Sequence, residues 1–434
     1  MAGMHYDIVI VGGGAGGLEL AARLGRKLGP KAGKERVLLI DRSSFHIWKP
    51  TLHEVAAGTL DTHQEGLSYS ILGRANHFSF LLGDLDSFDP VAKRLSLKPI
   101  LGEGGKVLVP ERGVTFSWGV LAIGSGSNLF GTPGADQAHL LERTEDAEAF
   151  HTRLLAAFMK ASFSTEKSMS VAIVGGGATG VELSAELIEA HRELLGSLGS
   201  EQRFRLDIAI VEAAPRILGG LPEKISDQAT VALERKGVRV HTGAKVVAVH
   251  ADRLETSQGD IPADLIVWAA GVKAAPTNAG YGLEINRTNQ FVVNERLETS
   301  APDVWALGDC AAAPWIGTAG KEGRIIPARA QAAHQQASYL AKALIARLGQ
   351  RRVEAPFVYR DFGSLLSLGE NKGVGALMGG LGGPNFFVEG LIAKWAYISL
   401  HLDHHRAIMG TPKTIVLALA RLLQQRVAGR LKLH

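Results

Sequence analysis

Short runs of consecutive apolar residues alternate along this chain with segments whose apolar positions recur every three or four residues. That is the pattern of buried parallel strands joined by amphipathic helices, and it predicts an α/β fold. The first run, Tyr6-Asp7-Ile8-Val9-Ile10-Val11, feeds directly into Gly12-Gly13-Gly14-Ala15-Gly16-Gly17. A helical pattern over 18–28 follows, then a strand over 37–40 that ends at Asp41. The same device returns 163 residues later. Val171-Ala172-Ile173-Val174 leads into Gly175-Gly176-Gly177-Ala178-Thr179-Gly180, a helix over 181–194 and a strand over 206–211 ending at Glu212. Two more apolar runs, 118–125 and 265–272, correspond in the same way, each meeting a glycine where the backbone must turn.

Glycines at 12, 14, 17 and at 175, 177, 180 have distinct tasks. The first permits a tight turn, the second lets a pyrophosphate approach the backbone, and the third lets the helix pack on the strand. The helix N-terminus then offers free N–H groups and a positive dipole end to the phosphates. Asp41 follows Gly17 by 24 residues, at the place where a carboxylate receives a ribose 2′-hydroxyl. Glu212 follows Gly180 by 32, because a polar insertion over 196–205 separates helix from strand. Two dinucleotide sites in one chain imply electron transfer between unlike cofactors, FAD in one and a nicotinamide cofactor in the other. Val304-Trp305-Ala306-Leu307-Gly308-Asp309 assigns them. It closes on a carboxylate suited to a ribityl hydroxyl, so the chain is expected to return and complete the first domain around FAD. The inserted domain then takes the nicotinamide cofactor. Glu212 favours NADH, since a carboxylate repels a 2′-phosphate, with Arg205 and Arg216 as nearby charges that would blur the preference.

Composition narrows the chemistry. At 434 residues the chain exceeds one ordinary core and divides into two or three domains. Its single cysteine, Cys310, excludes a disulfide scaffold, a cysteine-based zinc site and any reaction that needs a pair of thiols. Cys310 itself is expected to be a small buried residue beside the cofactor. No secretory signal precedes the strand at Tyr6, which predicts a cytosolic N-terminus. The longest stretch without Asp, Glu, Lys or Arg, 114–135, holds five glycines and a proline and does not read as a membrane span. His401, His404 and His405 with Asp403 look superficially like a metal cluster. Adjacent helical residues point in different directions, so these side chains are expected to be solvated or to face headgroups, with no metal bound.

The charge sits at the end of the chain. Residues 385–434 carry seven Lys or Arg against Glu389 and Asp403, a balance of +5 that exceeds the +4 of the whole protein. The stretch 386–402 is aromatic and apolar, with only Glu389 and Lys394 charged before residue 402. After Pro412, Val416, Leu419, Leu423, Val427 and Leu431 fall on one helical face, and Arg421, Arg426 and Arg430 fall mostly off it. A basic amphipathic helix beside an aromatic segment is the pattern of an in-plane membrane anchor. By pattern alone, a helix docked on the body or on a dimer partner is equally admissible.

Together these residues resemble the two-dinucleotide-binding-domain flavoproteins along nearly the whole chain. Within them the chain is similar to the type II NADH:quinone oxidoreductases, the single-subunit, non-pumping respiratory NADH dehydrogenases of bacteria. The resemblance is carried by His46-Ile47-Trp48-Lys49-Pro50-Thr51-Leu52-His53-Glu54-Val55-Ala56, by 174–187, by Trp268-Ala269-Ala270-Gly271, by Ala306-Leu307-Gly308-Asp309-Cys310-Ala311, by 327–335 and by the terminal Arg430-Leu431-Lys432-Leu433-His434. The glycine fingerprints are superfamily-wide, whereas Ala330-Gln331-Ala332-Ala333-His334-Gln335 and the tail are narrower.

The resemblance implies a non-covalent FAD held by Gly12, Gly13, Gly14, Ala15, Gly16, Gly17, Asp41 and Arg42, with Gly308, Asp309 and Ala330 also at the flavin. It implies NADH as substrate on Gly175, Gly177, Gly180 and Glu212. The implied catalytic residues are Glu182 near the nicotinamide, and Gln331 and Gln335 beside the flavin and quinone pocket. Pro327 and the helical pattern from Ala328 would aim a helix dipole at the flavin. The acceptor would be ubiquinone or menaquinone drawn from the bilayer, the protein lying peripherally on the cytoplasmic side of the inner (plasma) membrane against an anionic surface. Nucleic acid has no part, and a homodimer is left open. The corresponding domains are 1–125 and 296–380 for the split FAD domain, 126–167 as a connecting segment, 168–295 for the NADH domain and 381–434 for C-terminal membrane-associating helices. The lack of a spanning segment argues against proton pumping.

Three other functions compete. A sulfide:quinone oxidoreductase shares the fold and a membrane tail but needs redox cysteines. A soluble NADH-dependent reductase of a small redox protein or oxygen would use the basic tail as a docking face. A redox-responsive binding protein would use it to engage a partner, though no nucleic-acid motif is present.

Overall fold

A computed structural model describes residues 4–317, 320, 323–368, 373–377, 386–389, 399 and 402–427. Each glycine-rich unit builds its own sheet, parallel throughout in the second and parallel in the first except where Arg94–Leu97 and Leu85–Asp89 join it antiparallel. In the first, β1 (Met4–Val11) pairs in parallel with β2 (Val37–Asp41) on one side and with β3 (Arg112–Leu121) on the other. The helix α1 (Ala15–Leu28) makes the crossover from β1 to β2. Ile8, Val9, Ile10, Leu39 and Ile40 are fully buried, as continuous apolar runs must be when packing covers both faces of a sheet. Val304–Ala306 pairs in parallel with Gly119–Leu121, so the chain does return to complete the first sheet.

The second unit repeats the plan. α2 (Thr144–Phe163), β4 (Ser168–Val174), α3 (Ala178–Ser197) and β5 (Arg205–Glu212) surround a five-stranded sheet. Its order is His139–Leu140, Leu265–Trp268, β4, β5, Val238–Thr242, and a three-stranded antiparallel sheet over 246–262 stands beside it. The interval 126–167 thus supplies this sheet with a strand, and α2 supplies its core with Phe150, Leu154 and Phe158. Tyr281, Leu283, Phe291 and Val293 already lie in the first core. The two crossings between the units pair with each other, Gly126–Ser127 antiparallel to Val272–Lys273.

The helix α4 (Ala330–Leu348) packs along α1 and buries Ala337, Leu340 and Leu344 in the first core. Residues 363–367, 373–377 and 386–389 form a three-stranded antiparallel sheet, so within the expected helical region 381–434 residues 386–389 are a strand. Helix follows over 402–409, with Ile408 in the first core, and again in α5 (Thr411–Val427). Ile415, Val416, Leu419 and Leu423 of α5 are more than half exposed. The rest of the expected tail, 390–398, 400–401 and 428–434 with the Arg430–His434 segment, lies outside the described residues. Among the described residues no helix is long and apolar enough to cross a membrane.

Candidate functional site

The two glycine loops are built alike. Gly12 has φ +105°, and a Cβ there would lie 2.3 Å from the Ala122 carbonyl oxygen; one on Gly17 would lie 1.9 Å from the Gly12 oxygen. Gly14 faces open space. Asp41 accepts the Gly13 N–H on Oδ2 at 2.6 Å and the Ser43 N–H on Oδ1 at 2.8 Å, while burial raises its carboxyl pKa. In the second loop Gly175 has φ +108°, a Cβ on Gly180 would lie 2.1 Å from the Gly175 oxygen, and Gly177 is open. Glu212 accepts the Gly176 N–H at 2.7 Å and the Ala214 N–H at 2.8 Å. Each strand-end acid therefore also fastens its own loop. Open space over the middle glycine, at a helix N-terminus, suits a pyrophosphate.

Both loops open into one cavity of about 2240 Å³. Its wall includes Gly12, Gly14, Ala15, Gly16, Asp41, Arg42, Gly308, Asp309, Ala330, Gln331, Gln335, Gly177 and Glu182. Gly13, Gly17, Gly175, Gly180 and Glu212 stand behind the wall and shape the loops. Asp309 accepts the Ser125 hydroxyl at 2.9 Å, and Lys49 donates to the Ser125 carbonyl at 2.7 Å. Gly308, at φ +72°, donates its N–H to the buried Gln336 at 2.7 Å. Gln331 donates to the Gly363 carbonyl at 2.9 Å and accepts the Phe362 N–H at 3.1 Å. Gln335 brackets Arg360 in the same way, donating to its carbonyl at 2.8 Å and accepting its N–H at 3.0 Å. Both amides thus hold the 360–363 backbone against α4.

Glu182 is the fifth residue of α3, just past its first turn, and 6 % exposed. Burial pushes its carboxyl up to about 8, with nearby Glu186 adding to the shift and the Ser367 N–H, 3.0 Å from Oε1, opposing it. Its other oxygen is 3.8 Å from Nδ1 of His53. Burial draws His53 down to about 4 against a hydrogen bond to the Pro50 carbonyl. At neutral pH this is a carboxylic acid beside a neutral imidazole, not an ion pair. His53 Nε2 is buried without a hydrogen-bond partner among the described residues, and His53 lines the cavity.

A second polar cluster borders the cavity on the first unit. Glu19 of α1 contacts His334 of α4 and accepts from Arg23 Nε at 2.7 Å. His46 donates Nδ1–H to the Gly13 carbonyl at 3.0 Å, and its Nε2 is 2.8 Å from Nε2 of His404. His404 and His405 are 1 % and 3 % exposed, which corrects the expectation that the tail histidines are solvated or face headgroups: the 402–409 helix turns them into the body. His401 lies outside the described residues. Arg205 opens β5 while Glu212 closes it, a separation of about 23 Å at a strand's rise per residue, and Arg205 pairs with Asp207. It is therefore no influence on the adenosine end, whereas Arg216 binds the Gly219 carbonyl at 3.0 Å. Cys310 is buried and its thiol pushed up to about 12 by burial, the inert small residue expected.

His53, His46, Ser367 and Gln336 were not singled out individually from the sequence. His46 and His53 stand inside the segment that carries the family resemblance, but no local spacing connects them to Glu182 or His404. The partners meet only through the fold.

A family model described as pyridine nucleotide-disulphide oxidoreductase matches residues 6–337, and the chain belongs to that family. The type II NADH:quinone oxidoreductase of Haemophilus influenzae is 39% identical to it over 99% of this chain and 100% of its own length. The corresponding Ndh of Mycobacterium tuberculosis is 28% identical, covering 92% of this chain and 84% of its own. In fold, NDH2 of Plasmodium falciparum, solved in complex with NADH, matches with a TM-score of 0.81 at 18% identity, covering 98% of this chain and 99% of its own. The sulfide:quinone oxidoreductase of Aquifex aeolicus matches with a TM-score of 0.70 at 16% identity, covering 98% and 95%. Within the wider family, the chain is a member of the type II NADH:quinone oxidoreductases.

Proposed function

We propose that this protein oxidises NADH and delivers two electrons through a non-covalent FAD to a quinone taken from the membrane, without pumping protons. The observation that carries the reading is the single cavity of about 2240 Å³ reached by both glycine loops. Sites for drug-sized ligands occupy roughly 300–1,000 Å³, so this one has room for two dinucleotides end to end. FAD is assigned to the first unit, 1–125 with 296–380. Gly12, Gly14 and Arg42 would hold its phosphates, and Asp309 with Ser125 its ribityl chain. NADH is assigned to the second, 168–295, with Glu212 selecting against a 2′-phosphate. When bound, FAD supplies two-electron acceptance from NADH and two-electron release to quinone.

The chain's own residues position and protonate. Glu182 is an acid at neutral pH and holds a proton on the carboxyl next to His53. Its rotamer is fixed by the Ser367 N–H. Quinone reduction consumes protons, and Glu182 is placed to give one inside the cavity; Glu186, one helical turn outward, is the next carboxyl on the way to solvent. Gln331 and Gln335 keep the 360–363 segment, with its exposed Phe362, at the cavity rim. The protein acts from the cytoplasmic surface of an anionic membrane, with the apolar stripe Val416, Leu419, Leu423 of α5 as the contact. The exposure of that stripe and the +5 charge of 385–434 support this attachment.

Anaerobic reduction of the purified flavoprotein with NADH, followed by a short-chain ubiquinone, tests the reading. Bleaching by NADH and recovery with quinone is the expected result. Bleaching without recovery removes the quinone, and no bleaching removes the cofactor assignment. Salt-sensitive binding to anionic vesicles, lost in Leu419→Glu, tests the attachment.

A further inference from the structure

Glu19, His334 and His404 come from three parts of the chain: α1, α4 and the 402–409 helix. One ligand atom of each lies within 4.8 Å of the other two. Glu19 and His404 are each 1 % exposed, while Glu19 and His334 also border the cavity. The group is closed by protein on one side and open to the cavity on the other. We propose that these three side chains form a site for one zinc-type divalent cation, with the fourth position facing the cavity, and that the cation staples the 402–409 helix to the first Rossmann core.

The donor set selects the class of cation. Two imidazoles and one carboxylate with an open position suit zinc, whereas magnesium and calcium require mostly oxygen ligands. The surroundings already provide what metal ligands need around them. Arg23 holds Oε1 of Glu19 through Nε at 2.7 Å and Nη2 at 2.6 Å, which fixes the carboxylate and leaves Oε2 toward His334. His46 donates Nδ1–H to the Gly13 carbonyl and meets Nε2 of His404 at 2.8 Å through its own Nε2, while Trp48 stacks on the His404 ring at 5.7 Å. Hydrogen bonds of this kind orient a ligating imidazole and fix its tautomer. Without the cation, a proton on Nδ1 of His334 bridges to Oε2 of Glu19.

The consequence is mechanical. Arg26 already donates to the carbonyls of Ala407 at 2.7 Å and Ile408 at 3.0 Å, so α1 and the 402–409 helix are in contact before any cation binds. A cation between Glu19, His334 and His404 adds a crosslink between segments more than 300 residues apart and places the start of the C-terminal helical region under metal control.

Flavin-loaded full-length protein, stripped with chelator, is titrated calorimetrically with zinc, with magnesium and calcium as controls, and amide exchange over 402–409 is followed alongside. The expected result is one equivalent of zinc bound, slower exchange over 402–409, and no binding of magnesium or calcium. His334→Ala, at the partly exposed edge of the site, and His404→Ala are each expected to weaken the strongest zinc site at least ~10-fold. Equal zinc binding in wild type and His334→Ala, or zinc binding without added protection of 402–409, overturns the proposal. If His404→Ala does not fold, His334→Ala and Glu19→Gln decide it.

Discussion

Glu19 and Glu182 occupy the same place in the two repeats, each two residues after the third glycine of its fingerprint and in the first turns of the nucleotide helix. Both are buried, at 1 % and 6 % exposure, and both border the same cavity. Their charge states are opposite. Burial pushes Glu19 up, but the His334 hydrogen bond and charge together with Arg23 outweigh it, and its pKa is lowered. Glu182 meets a backbone N–H and a neutral imidazole, with the Glu186 carboxyl nearby, and burial takes it up to about 8. One helix position thus yields a fixed anion in the first unit and a proton carrier in the second. The local motif sets where the acid stands; its neighbours, Arg23 on the same helix and His334 brought in by α4, set what it is. Pairs of titratable groups driven apart in this way are how a site divides ionic and protic tasks.

The largest expected effect comes from removing the proton carrier. Glu182→Gln should slow quinone reduction by ~10²–10⁴-fold with flavin content unchanged, the range for loss of a general acid. Because the pKa of Glu182 is raised, its proton is present below about 8 and lost above it, so wild-type quinone turnover should fall as pH rises through about 8. The variant should lack that limb. Ferricyanide reduction, which needs no proton delivery, should be spared; an equal loss with ferricyanide would end the proton role.

Next come the loops that present the two acids. Gly12→Ala places a Cβ 2.3 Å from a backbone oxygen at φ +105°, and the protein should purify with little flavin by its absorbance ratio. Gly175→Ala should retain flavin and raise KM for NADH instead. Flavin loss from the second variant would reverse the assignment of the units.

Glu19→Gln, in chelator-treated protein, should lower the unfolding free energy by about 1–3 kcal/mol, the cost of taking a charged partner from buried hydrogen bonds. Urea unfolding monitored by flavin fluorescence measures it, and an unchanged midpoint would mean that Glu19 is no structural anion. The smallest expected effect is that of Arg205→Ala, which should leave the NADH-to-NADPH preference within about twofold, as its exposed pair with Asp207 carries little. A larger change in that ratio of kcat/KM would place Arg205 at the adenosine end after all.

What could be read from the sequence is whatever the chain states locally. Gly12, Gly14 and Gly17 are contiguous with the strand and helix they serve, and so are Gly175, Gly177 and Gly180; their φ angles and close approaches follow from that spacing. The return of Val304–Ala306 to the first unit was legible because an apolar run after the second fingerprint closes on Gly308-Asp309, a strand-end carboxylate, whereas its partner strand β3 was not. The tail histidines were misread for the opposite reason. Helical geometry separates His404 from His405, but nothing local says that Trp48, His46 and Glu19 wait on the body to receive them. The 126–167 interval carried no fingerprint, so its strand at His139–Leu140 and the helix α2 were invisible as parts of the second unit.

The return of the chain to its first sheet also sets an order of assembly. The second unit's strands run consecutively between residues 139 and 268, so its sheet can form as soon as they leave the ribosome, with only Leu366 and Leu368 joining its core later. The first sheet cannot. β3 stays without its Val304–Ala306 neighbour, and α1 without α4, until residue 348 has been synthesised. The half of the molecule that begins first therefore finishes last, its apolar faces waiting on an inserted unit that is already folded. A nascent chain stalled before residue 304 would carry a competent second nucleotide fold and an open first one. Slow translation through 304–348 would be the interval in which this protein is most exposed to aggregation.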